Sequence, residues 1–262
     1  MTKQLLGVLG GMGPLATADF MRKLIVATPA TRDQDHLPLI VYSVPQIPDR
    51  TVAILSGGES PLPALLHGLR TLEAARASAI AIPCNTAHYW ADELARATAL
   101  PILHIADAVL GQLRRRCAPE SNVALIGTQG TVHAGFYQKA LGANGYACMI
   151  PTPEELCELV MPGIDFVKQG DLEQGGRKLE IAVRRLLERG AATVVLACTE
   201  IPLAMDHLRS PLLPQCLDST AALADDCVAW WQRVAGAARP RPAEAPRARF
   251  CAEAPRVGPS VN

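Results

Sequence analysis

Residues 80–88 read IAIPCNTAH and residues 194–202 read VVLACTEIP. Each is a short apolar run that ends in a cysteine and passes at once into hydroxyl-bearing and polar residues. Runs of this length, bounded by proline or polar residues, are expected to be strands rather than helices. Strands apolar along their whole length, rather than alternating, belong to a parallel sheet covered on both faces. Cys84 and Cys198 would then each sit at the carboxyl end of such a strand.

Outward from these two stretches, the chain repeats its layout. VLGGMGP (8–14) and LIGTQGT (125–131) are each a strand running into a glycine-punctuated loop. Cys84 follows Gly10 by 74 residues and Cys198 follows Gly127 by 71; Arg50 follows Gly10 by 40 and Lys168 follows Gly127 by 41. Further strands are expected at 5–10, 37–44, 79–83, 122–127, near 146–150 and at 193–198. Helices are expected at about 15–27, 63–77, 86–97, 131–141, across 153–189, and at 219–234 after the N-capping cluster Asp218-Ser219-Thr220. Strands alternating with helices give an α/β fold. The repeat makes it two pseudo-symmetric lobes, each a mostly parallel sheet flanked by helices. Ligands of open α/β sheets lie at the carboxyl ends of the strands. A pseudo-twofold axis between the lobes would therefore aim both thiols into a shared cleft from opposite sides.

Two opposed thiols suit one chemistry well. Inverting an amino acid removes the Cα proton from one face and returns a proton to the other, which needs one proton-transfer group per face. A thiol can serve when backbone N–H groups or a helix N-terminus lower its pKa, and a helix is expected directly after Cys84. Arg50 and Lys168 supply cations for carboxylates, which favours a substrate with two of them. The loop Gly10-Gly11-Met12-Gly13 and the Gly127-Thr128 turn offer backbone amides where charge develops in the transition state. Asn85, Thr86, Thr199 and Glu200 could bond the substrate's ammonium and carboxylate groups or tune the sulfurs.

The chain has 262 residues and no formal net charge, which argues against a nucleic-acid or anionic-membrane footprint. Apolar residues make up 49% but aromatics only 4%, so the core must be aliphatic. No apolar run reaches the ~20 residues of a membrane helix, and the N-terminal residues lack the form of a signal peptide. A cytoplasmic, reducing setting is expected. The scattered cysteines Cys117, Cys148, Cys157, Cys216, Cys227 and Cys251 then read as packing or surface thiols. Residues 237–262, rich in Pro, Ala and Arg, read as a disordered tail without an assigned role.

GVLGGMGPLAT (7–17), PQIPDRT (45–51), PCNTAH (83–88) and ACTEIPL (197–203) together resemble the aspartate/glutamate racemase family, and within it the aspartate racemase branch. The resemblance covers about residues 4–235. It implies Cys84 and Cys198 as the catalytic pair. It also implies a substrate site with Arg50 and Lys168 on carboxylate and Met12, Asn85, Thr86, Thr128, Thr199 and Glu200 around it. It implies a small amino-acid substrate, a homodimer, and neither pyridoxal phosphate nor metal. The family's lobes would be residues 1–112 with a helix at 215–236 returning to them, and residues 113–214. Cell-wall glutamate racemases carry an aspartate-serine pair where this chain has Gly11-Met12, so aspartate is the expected substrate, with glutamate or a broader range next.

Plainer readings exist for each part. One buried cysteine at a strand end is usually a small core residue; two at matching places in a repeat are not. Cys84 and His88 are spaced like metal ligands, but no second tight Cys/His pair completes a four-ligand site. The glycine loop lacks the G-x-G-x-x-G spacing of dinucleotide sites. Arg50 alone could be a surface residue after a proline turn, and Lys168 alone is weaker still; their matched positions raise both. A one-thiol decarboxylase, a hydantoin racemase, a maleate-type isomerase, or a two-lobed amino-acid-binding protein would share the layout. The last would not need the thiols.

Overall fold

The computed structural model describes residues 4–236. The first series runs β1 (Leu6–Gly10), α1 (Pro14–Ala27), β2 (Leu39–Ser43), α2 (Arg50–Ser56), α3 (Leu62–Ala74), β3 (Ala79–Ala81), α4 (Ala91–Arg96), β4 (Ile102–Leu103) and α5 (Ile105–Arg116). The second runs β5 (Asn122–Gly127), α6 (Gln129–Ala134), α7 (Phe136–Ala143), β6 (Ala147–Met149), α8 (Pro153–Glu155), α9 (Met161–Lys168), α10 (Leu172–Glu188), β7 (Thr193–Ala197), α11 (Glu200–His207), β8 (Cys216–Asp218) and α12 (Ser219–Gly236).

The strands form two four-stranded, all-parallel sheets, ordered β2-β1-β3-β4 and β6-β5-β7-β8. The two orders are the same, which is the repeat seen in the sequence. Side chains alternate between the faces of each strand, and the core follows that period. Leu6 and Val8 of β1, Val123 and Leu125 of β5, and Val195 and Ala197 of β7 point into one shared interior with α5 and α12. Leu9 and Ile80 turn to the opposite face, under α3 and α4. Ala124, Ile126, Val194 and Leu196 turn outward under α9, α10 and α11. The two sheets thus share a single central core, which includes Leu113, Leu223, Trp230 and Trp231. Helix α12 packs on α1 and α5.

Several boundaries differ from the sequence expectation. The stretch 86–97 is a 3-10 turn at Thr86–Trp90 followed by α4. The helix expected at 131–141 is two helices, broken at Gly135, whose φ of +71° is a left-handed conformation that glycine adopts without strain. Cys198 falls one residue past the end of β7. Elements not anticipated are α2, β4, α5, α11 and β8. The expected tail at 237–262, and Cys251 within it, lie outside the described residues. Among the described residues, no helix is long and apolar enough to cross a membrane.

Helices α2 and α6 meet across the seam between the two series. Gly130 makes the approach possible: a Cβ there would lie 2.8 Å from Thr51 Oγ1 and 3.0 Å from both Thr51 Cα and Thr86 Cγ2.

Candidate active site

At the carboxyl ends of both sheets lies a narrow cavity. The first series supplies Met12, Asp49, Arg50, Thr51, Cys84, Asn85 and Thr86; the second supplies Thr128, Lys168, Cys198, Thr199 and Glu200. All ten residues singled out in the sequence line this one space. Asp49 and Thr51 join them. Both lie inside PQIPDRT, but they carried no distinct chemical signal there. Met12, Asp49, Arg50, Lys168 and Glu200 also border a larger, more open space walled by apolar groups such as Pro14, Leu15, Ile47 and Leu203.

The two sulfurs are buried, at 4% exposure for Cys84 and 6% for Cys198. Their surroundings differ. Burial raises the Cys84 thiol above its ordinary pKa, against the pull of the Arg50 guanidinium and the Ala87 N–H toward ionisation. Burial also raises Cys198, and the Glu200 carboxylate adds to it, against the weaker pull of the Glu200 N–H and Lys168 toward ionisation; Glu200 acts in the same upward sense on Cys84. Cys198 Sγ donates to Glu200 Oε2 at 3.1 Å, and the Thr199 hydroxyl donates to the same oxygen at 2.7 Å. The lowering expected from a helix start after Cys84 is therefore present as a contribution but outweighed: the short turn offers one amide, and desolvation is larger.

Arg50 is held in place by its own loop. Its Nη1 donates to the Ile47 and Pro48 carbonyls, each at 3.1 Å, and its buried Nε has no protein partner. Asp49 caps α2 by accepting from Val52 N at 2.9 Å. Lys168 is looser, 39% exposed and 4.0 Å from Asp165. In the glycine loop, the Gly11 amide is not free for a ligand, because it donates to Thr17 Oγ1 at 2.8 Å.

Three hydroxyls close a triangle across the seam. Thr86 Oγ1 lies 3.0 Å from Thr128 Oγ1 and 2.8 Å from Thr131 Oγ1, and those two are 3.1 Å apart. Thr131 went unnoticed in the sequence because only the turn into α6 brings it beside Thr86. Behind Cys84, His88 is fully enclosed. The Ile105 N–H donates to its Nε2 at 3.3 Å, so Nδ1 carries the proton and donates to the Cys84 carbonyl at 2.9 Å. With both ring nitrogens engaged, His88 orients the cysteine loop and is not free to bind metal. Burial, with His104 nearby, lowers its pKa to about 3, so it is neutral.

Known proteins resemble this chain in sequence and in fold. The sequence pattern of the Asp/Glu/hydantoin racemase family matches residues 9–227. The broad-specificity amino-acid racemase RacX of Bacillus subtilis is 28% identical over 230 residues, covering 86% of this chain and 96% of that protein. The aspartate racemase of Picrophilus torridus superposes with a TM-score of 0.74 at 31% identity, over 89% of this chain and 94% of its own. An aspartate racemase homologue from Pyrococcus horikoshii gives a TM-score of 0.69 at 26% identity, over 88% of this chain and all of its own (100%). A pattern match that begins inside the first strand and ends inside the last helix places this chain in the Asp/Glu/hydantoin racemase family.

Proposed function

We propose that this protein is a cofactor-independent amino-acid racemase that interconverts L- and D-aspartate, with Cys84 and Cys198 as the two proton-transfer groups. The observation that carries the reading is the meeting of the two cysteines, one from each sheet, in one cavity that also holds Arg50 and Lys168.

On this reading the amino acid lies between the sulfurs. One sulfur, as thiolate, takes the Cα proton; the other, as thiol, gives its proton to the opposite face. One proton leaves and one arrives, and the two sulfurs exchange protonation states. Negative charge gathers on the α-carboxylate in between. Arg50 and an Asn85 N–H are the donors that would hold it. Burial raises both thiols. The substrate's ammonium group, entering beside them, favours the thiolate form that the reaction needs. Arg50 and Lys168 come from opposite lobes, which suits a dicarboxylic substrate.

A broader substrate range is the second reading. The larger space beside the cavity, walled by Pro14, Leu15 and Leu203, has room for side chains longer than aspartate's. One experiment tests both. The protein is incubated in D₂O with L-aspartate, L-glutamate and a panel of other L-amino acids, without added cofactor. Decay of optical rotation to zero with deuterium entry at Cα identifies the substrate. No exchange with any amino acid would rule out racemisation and return the choice to decarboxylation, isomerisation or binding alone.

A further inference from the structure

A line of hydrogen bonds behind the cavity joins the two cysteine-bearing segments without touching either sulfur. The Tyr137 hydroxyl on α7 donates to Asn85 Oδ1 at 2.6 Å. Asn85 Nδ2 donates to Ser219 Oγ at 3.0 Å, and the Ser219 hydroxyl donates to the Leu196 carbonyl at 2.8 Å. Tyr137, Asn85 and Ser219 are 1%, 2% and 0% exposed. Asn85 follows Cys84 directly, and Leu196 lies on β7 two residues before Cys198.

The line has one direction. Ser219 gives its hydrogen to Leu196, so toward Asn85 it accepts. Tyr137 stays protonated because burial raises its phenol, so toward Asn85 it donates. A flipped amide would turn its oxygen toward Ser219, whose hydrogen is already given to Leu196, and so would leave a buried acceptor without a donor. One Asn85 N–H is committed to Ser219, and the second is left for the cavity that Asn85 lines.

We infer that Tyr137 and Ser219 are positioning residues: they lock the Asn85 amide so that its second N–H faces the substrate carboxylate, and they tie that donor to the strand leading to Cys198. The inference rests on the racemase reading above.

A double-mutant cycle tests it. Tyr137→Phe removes one hydroxyl and keeps the ring; Asn85→Ala removes the amide being oriented. kcat and KM for aspartate are measured in the wild type, both single variants and the double variant. Tyr137→Phe is expected to lower kcat/KM about tenfold in the wild-type background and less than about twofold beside Asn85→Ala, where nothing remains to orient. Ser219→Ala should behave the same way. A tyrosine with only a structural role would lower thermal stability and cost the same activity in both backgrounds, and that result, or full activity in Tyr137→Phe, would overturn the inference. Should turnover of Asn85→Ala fall below detection, aspartate affinity by calorimetry supplies the same cycle. A wild type that exchanges no Cα proton overturns the racemase reading and this inference with it. An active wild type with an additive cycle overturns this inference alone.

Discussion

After Cys84 the chain reads Asn-Thr-Ala-His, and after Cys198 it reads Thr-Glu-Ile-Pro. Both cysteines follow the third strand of identically ordered four-stranded sheets, and both are buried in the same cavity. Yet after burial the strongest influence on one sulfur is the Arg50 guanidinium, and on the other it is the Glu200 carboxylate that it hydrogen-bonds, with the Glu200 N–H and Lys168 pulling more weakly the other way. Position +4 repeats the contrast: His88 braces the first cysteine's carbonyl, while the second loop has Pro202, which cannot do so. The backbone repeat therefore carries placement but not electrostatics. For the proposed chemistry this asymmetry is useful. Two-base inversion needs one sulfur to lose a proton and the other to keep it. Arg50 makes Cys84 the readier to ionise, and Glu200 makes Cys198 the readier to stay a thiol.

The comparison breaks most visibly if either thiol proves dispensable. Cys84→Ala and Cys198→Ala should each lower racemisation by at least about a thousandfold with an unchanged melting temperature; full two-way turnover in either would end the two-thiol assignment. Charge is the next test. At a fixed pH near 8, iodoacetamide should label Cys84 faster than Cys198. Glu200→Gln should speed labelling of Cys198 about tenfold, and Arg50→Gln should slow that of Cys84 by a similar factor. Equal labelling of the two wild-type cysteines, read by mass spectrometry, would mean that their surroundings do not set them apart. The seam comes third. Gly130→Ala pushes a methyl against the Thr51 backbone, and should cost roughly 1–3 kcal/mol in a denaturant titration, with reduced turnover as Thr51 and Thr86 shift.

The smallest effect concerns His88, the brace that the second lobe lacks. Its folded-state pKa is lowered from 6.5 to about 3. Between those values the unfolded chain binds a proton that the folded protein refuses. The stabilising contribution is thus complete above about pH 6.5 and is lost progressively as pH falls toward 3. His104, also lowered by burial, acts in the same sense. In thermal melts from pH 7 to 4, His88→Gln should lose stability less steeply than the wild type.

The parts of the molecule legible in the sequence are those with local signals. The buried strands Leu6–Gly10, Asn122–Gly127 and Thr193–Ala197 stand out as apolar runs. Of the ten cavity residues, matched spacing in the two halves linked Cys84, Cys198, Arg50 and Lys168; Met12, Asn85, Thr86, Thr128, Thr199 and Glu200 followed from their places beside the cysteines and glycine loops and from the family motifs. Ile102–Leu103 and Cys216–Asp218 did not stand out, being edge strands of two and three residues that exist only through pairing with β3 and β7. Arg50–Ser56, seven residues after a proline, is too short to show a helical period. Tyr137 and Ser219 reach Asn85 from 52 and 134 residues away, a separation that no motif records. The thiol pKa values were misjudged for a related reason: the amides that lower a pKa follow from neighbouring residues, whereas desolvation depends on everything folded around them.

The last helix has a consequence for how the protein is made. Leu223, Cys227, Trp230 and Trp231 belong to the core into which both sheets face. During translation, all eight strands of the described residues have been synthesised once residue 218 has been added, but that shared interior stays unsealed until residues 219–236 leave the ribosome. The halves cannot mature one after the other, as separate domains do. A premature stop codon before Trp230 would release a chain with nearly every strand and helix in place and an open apolar seam through its middle, a species prone to aggregate rather than a shortened enzyme.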